Sequence, residues 1–131
     1  MSHTARIVST ATAYAHRISV GAHELVADEP PALGGQDAGP APFDLYLAAL
    51  AACTAITLRM YAQKKGWDIG ELRAELTLSR DVDGKPHVHR RLWATGALDE
   101  AQWARLLDVA ARTPVTKAMR DGAVITTARG A

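Results

Sequence analysis

The sequence predicts a mixed α+β domain with antiparallel strands around one long buried helix. Three observations carry this. Short β-patterned runs sit at both ends of a Pro- and Gly-rich stretch and its following helix; one long segment is apolar and free of Pro and Gly; two capped helical segments lie near the C-terminus. The order is strands, long helix, strands, helices, strand, and such segregation argues for α+β.

Each element has a local reason. Thr4 to Ala13 is rich in Thr, Val and Ile and reads as a strand. His16 to Val20 and His23 to Ala27 flank Gly21-Ala22, whose leading Gly favours a tight type II′ hairpin. From Pro30 to Pro42 the density of Pro and Gly leaves only a shaped loop. Pro42 suits the first turn of a helix, where a missing N–H costs nothing. The helix then runs from Phe43 to Lys65, with Lys64 and Lys65 at its negative end and Gly66 as its stop. Its first half (Leu45, Leu47, Ala48, Leu50, Ala52, Ile56) is apolar on all sides, which predicts burial all round, in a core or between subunits.

Leu72 to Ser79 alternates, with Leu72, Ala74, Leu76 and Leu78 on one face. Asp83-Gly84 signals a hairpin turn and Val88 to Thr95 the return strand. Asp99 with Gln102 reads as a capping box, followed by the stripe Trp103, Leu106, Leu107 and Ala110. Thr113-Pro114 starts another short helix, with Thr113 as N-cap. Val124 to Thr127 is expected to close the fold as a strand.

Composition bounds the function. The 131 residues make one domain, 1–131, with 48% hydrophobic and 22% charged residues, an ordinary globular balance. Fifteen basic and fourteen acidic residues give a formal +1, which argues against nucleic acid. No polybasic run suits a membrane surface, and the apolar core of the helix, Leu45 to Leu58, is short of the roughly 20 residues that span a bilayer. Met1 to Ala11 holds no apolar segment of the signal-peptide kind. A single cysteine forms no disulfide within the chain, and the expected location is cytoplasmic, in a reducing compartment.

Cys53 is the one plausible reactive side chain. A lone cysteine in an apolar helix is ordinarily a small core residue, and its reactivity requires a nearby cation. His87 and His89 share a strand face but have no third ligand nearby, so no metal site is expected. Gly34, Gly35 and Gly39 match neither phosphate-loop spacing. Asp44, near the helix start, is by default a partner of the helix dipole.

The run Leu33-Gly34-Gly35, then Gly39-Pro40-Ala41-Pro42-Phe43-Asp44-Leu45, then Ala48-Ala49-Leu50-Ala51-Ala52-Cys53 resembles the signature of the OsmC/Ohr family of osmotically inducible and organic-hydroperoxide-resistance proteins. Thr113-Pro114-Val115-Thr116-Lys117-Ala118 resembles the family's second motif, which normally begins with cysteine. The resemblance implies an OsmC-like fold and an intertwined homodimer with its central helices back to back. It implies a thiol peroxidase cycle in oxidative stress defence: a peroxidatic cysteine, here Cys53, becomes a sulfenic acid, a second cysteine resolves it, and a dithiol reductant clears the disulfide. No cofactor is implied.

Three departures from the family pattern stand out. The resolving position is Thr113, so a two-cysteine cycle within this chain is impossible. The family's acid that holds an activating arginine falls at Phe43, with Asp44 one residue later. The early hairpin that carries that arginine in the family is shorter here, and Arg17 is the nearest candidate for it. Asp44 and Cys53 lie nine residues apart, about 13–14 Å along one helix and on about opposite faces, so an acid–arginine pair must bridge a gap or come from a second subunit. The resulting expectation is a one-cysteine, hydroperoxide-reducing homodimer whose hydroperoxide and dithiol reductant are unspecified. The alternative is a non-catalytic OsmC-like dimer that binds a small apolar ligand around an unreactive core cysteine.

Overall fold

The computed structural model describes residues 2–130. The chain divides into two compact units, residues 1–46 and 47–131.

In the first unit, β1 (Arg6–Ser9), β2 (His16–Val20) and β3 (His23–Ala27) form an antiparallel sheet in that order. Val20 pairs with His23 across the two-residue turn, and Gly21 there takes φ of +58°, as the sequence predicts. β1 is shorter than the expected Thr4 to Ala13, because only Arg6 to Ser9 find partners on β2. The loop after β3 folds around one buried carboxylate. Asp28 accepts hydrogen bonds from the backbone N–H groups of Glu29 (2.8 Å), Gln36 (3.2 Å) and Ala38 (3.1 Å). These amides, Ala38's foremost, hold its carboxyl below the ordinary aspartate range. The glycines serve this packing rather than a phosphate. A Cβ at Gly35 would collide with the Glu29 carbonyl, and one at Gly39 with the Val26 carbonyl.

The helix α1 (Pro42–Lys65) begins in the first unit and runs through the second. Gly66 ends it at φ +72°. In the second unit, β4 (Leu72–Arg80) and β5 (Pro86–Ala94) form an antiparallel hairpin. α2 (Glu100–Ala110) and α3 (Pro114–Asp121) follow. The predicted capping box is complete: the Gln102 N–H donates to Asp99, and the Asp99 N–H to Gln102. The core gathers Leu58, Ala62, Ile69, Leu106 and Ala110, with Tyr61, Trp67, Leu72 and Leu92 packed against it.

Within one chain α1 is covered on one face; of the two settings expected for it, a core or a subunit interface, the single chain does not supply the first. Leu50, Thr54, Leu58 and Ala62 are buried, one helical face at spacings of four, while Ala48, Ala52, Ile56 and Met60 on the far side are exposed. By length and composition α1 is also the one described helix that could cross a bilayer, longer than its apolar centre suggests. Two sequence expectations are corrected, at Leu107 and at Val124 to Thr127. Leu107 is exposed, since the narrow stripe of α2 turns only Leu106 and Ala110 fully inward. Val124 to Thr127 is not a strand: it pairs with no described strand, and Val124 and Ile125 lie open to solvent.

Candidate functional site

Cys53 lies midway along α1 and is half-buried, not sealed in the core. Its Sγ is 3.9 Å from the Thr57 hydroxyl one turn on. The neighbouring Thr54 is fully buried, and its hydroxyl donates to the Leu50 carbonyl at 2.7 Å.

An arginine from β5 reaches this segment of helix. Alternation along β5 turns Val88, Arg90, Leu92 and Ala94 inward and leaves His87, His89 and Arg91 exposed. Arg90 Nη1 donates to the Thr54 hydroxyl at 2.6 Å and to the Thr116 hydroxyl at 3.1 Å. Its Nη2 donates to the Ala110 carbonyl at 2.8 Å. That carbonyl closes α2, where the negative end of the helix dipole favours a cation. Burial lowers the guanidinium from its ordinary range, and the negative charge of a Cys53 thiolate opposes the shift.

The second motif joins the same cluster. Thr113 caps α3, is buried, and accepts from the Thr116 N–H. Its hydroxyl lies 2.6 Å from that of Thr116, whose oxygen in turn faces Arg90 and the Ala110 carbonyl. Thr54, Arg90, Thr113 and Thr116 therefore form one hydrogen-bonded group anchored beside Cys53.

The other predicted residues stand in the first unit. Arg17 is on β2, opposite Val8 and Val26. Asp44 accepts from the Ala41 N–H at 3.0 Å, the dipole-side role expected of it by default. Phe43 is partly exposed and packs edge-to-face on Tyr46, with ring centres 5.8 Å apart. His87 pairs with Asp81 at 3.0 Å, and no group of three or more metal-ligating side chains occurs among the described residues.

Sequence reasoning missed Arg90, which reads as one of several charges on a strand. The available signal was its place between Val88 and Leu92, each two residues away on the inward face.

Two open grooves lie further along α1. One, of about 590 Å³, is lined by Thr57, Met60, Tyr61, Gln63, Lys64 and Val109. The other, of about 450 Å³, is lined by residues that include Ala55, Ile56, Arg59 and Leu72. Cys53 lines neither.

Comparison with known proteins places this geometry. No curated protein sequence matches the chain. Solved structures do. A Psychrobacter arcticus protein described as an osmotic stress-induced and detoxification response protein superposes with a TM-score of 0.77 at 22% identity, over 90% of this chain and 88% of that one. A Legionella pneumophila organic hydroperoxide resistance protein, OsmC, gives 0.66 at 20% identity, over 92% and 90%. The organic hydroperoxide resistance protein OhrB of Bacillus subtilis gives 0.61 at 23% identity, over 92% and 91%. At such identities the likeness carries the fold. The family follows from the sequence itself: residues 34–128, which include both motifs except for the leading Leu33, match the model of the OsmC-like proteins, and the chain belongs to that family.

Proposed function

We propose that the protein is a one-cysteine hydroperoxide reductase of oxidative stress defence, with Cys53 as its peroxidatic thiol. One observation carries this reading: the chain's single cysteine sits half-buried on the central helix of an OsmC-like fold. The sequence resemblance assigns that cysteine the peroxidatic role. The names of the Legionella and Bacillus relatives support the substrate class.

In the proposed reaction the Cys53 thiolate attacks the terminal oxygen of an organic hydroperoxide. The S–O bond forms as the O–O bond breaks, and the alkoxide leaves as the alcohol after taking a proton. Cys53 is oxidised to a sulfenic acid and the peroxide is reduced. Because Thr113 replaces the resolving cysteine, an external dithiol completes the cycle. Its first thiol forms a mixed disulfide with Cys53 and releases water; its second displaces the Cys53 thiolate and leaves as part of a disulfide. The same reading gives Arg17 and Asp44 the acid–arginine role that the family resemblance implies. It takes the protein to act as a homodimer in the cytoplasm, without a cofactor.

A second reading has one observation in its favour. Thr113 is fully integrated as an N-cap, which also suits an OsmC-like dimer that binds a small apolar ligand without chemistry. Titration with an organic hydroperoxide separates the two. The reductase gains one oxygen atom on Cys53 per equivalent and turns over with a dithiol, and Cys53→Ser does neither. A native protein that leaves the hydroperoxide unreduced contradicts the reductase reading.

A further inference from the structure

Arg90 has no acidic partner among the described residues, and none of its hydrogen bonds goes to a carboxylate. A half-buried arginine is normally neutralised by an ion pair, because desolvating a lone charge is costly. Here three neutral acceptors from α1, α2 and α3 fix the guanidinium and leave its positive charge uncancelled. Thr54, which receives its shortest bond, is the residue next to Cys53.

We propose that Arg90 is a further positioning cation of the Cys53 site, besides the Arg17 of the proposed function: an uncancelled charge locked at the residue next to Cys53 by Thr54, Thr116 and the Ala110 carbonyl. It acts through Cys53 by favouring the anionic sulfur species, thiolate before oxidation and sulfenate after it. The proposal also gives the second motif a task in a chain that lacks its cysteine. Thr113 braces Thr116, and Thr116 holds Arg90, so the motif supplies charge alignment where relatives supply a thiol. The inference rests on Cys53 as the reacting group of the proposed function.

A purely structural strap would make the same hydrogen bonds, so the test reads local charge instead. Cys53 is modified with two methanethiosulfonates of similar size, one anionic (sulfonatoethyl) and one cationic (trimethylammonioethyl), and the ratio of their rates is taken. Thiol ionisation and general accessibility affect both reagents and cancel in the ratio. Arg90→Met is expected to lower the anionic-to-cationic ratio roughly tenfold, the scale of one unit charge at close range in a partly solvated site. Arg90→Lys keeps most of the preference, and Arg91→Met, on the exposed face, leaves it within about twofold. An Arg90→Met protein that folds and keeps the native ratio overturns the assignment. Should that variant fail to fold, the native protein is compared with itself in urea: a ratio no higher in the folded state overturns the assignment equally. Hydroperoxide plays no part in this measurement. A charge preference with no peroxide reactivity removes the reductase reading alone, and peroxide reactivity with no preference removes Arg90 alone.

Discussion

The Arg90 guanidinium donates to the Thr54 hydroxyl at 2.6 Å, and that hydroxyl in turn donates a hydrogen bond to the Leu50 carbonyl at 2.7 Å. A strand is thereby tied to the middle of α1 at the residue beside Cys53. Thr54→Val keeps the shape and removes both bonds. It is expected to destabilise the protein by about 1–2 kcal/mol, because a half-buried donor loses the shorter of its two hydroxyl partners. Chemical denaturation with an unchanged m-value reads this cost. No loss of stability would mean that the tie is dispensable.

The exposed stripe of α1 predicts an obligate dimer. Ala48, Ala52, Ile56 and Met60 give an apolar face whose small residues permit close approach of a second backbone. Val124 and Ile125, open to solvent in the single chain, add a second apolar segment that a partner would cover. Sedimentation should find a dimer at micromolar concentration, and Ile56→Asp should weaken or abolish it. A stable, folded native monomer contradicts the prediction.

Asp28 predicts an acid-sensitive loop. Its folded pKa lies below the ordinary 3.8, so the carboxylate form favours the folded state. That contribution is complete above pH 3.8 and is lost as pH falls through the folded value. Asp81, also lowered, chiefly by its hydrogen bond from His87, loses its share in the same direction. Asp28→Asn should be less stable than the native protein at neutral pH, and the gap should close on acidification. A gap that stays constant with pH would show that the amide contacts do not discriminate charge.

Much of this architecture was legible in the sequence, for identifiable reasons. The bounds of β2 and β3 follow from a two-residue turn that Gly21 makes geometrically unambiguous, and α1 and α2 are bounded by Gly66 and by the Asp99–Gln102 cap. Cys53 was legible because the chain has no other sulfur nucleophile. The surroundings of Cys53 were not. Arg90 and Thr54 are 36 residues apart, and only the pairing of β4 with β5 turns that arginine inward. The tail from Val124 carries a strand composition, yet a strand needs a partner edge and this segment has none within the described chain.

Thr113→Cys tests whether the second motif still faces the first. The fold should survive it, since the main loss is one cap hydrogen bond, about 1 kcal/mol. After one equivalent of organic hydroperoxide, Cys53 and the new thiol should disappear together as a disulfide, which requires their Cα atoms to come within roughly 7 Å. Loss of Cys53 alone would place the two positions too far apart for the relatives' chemistry.

The most direct test of the central claim is mass spectrometry of the native, folded protein after stoichiometric organic hydroperoxide. The account predicts a sulfenic acid on Cys53 that persists, because no second cysteine is present to condense with it, and over-oxidation to sulfinic acid at higher dose. Added dithiol should restore the free thiol from the sulfenic acid. A Cys53 that stays unmodified in the folded protein would contradict the account.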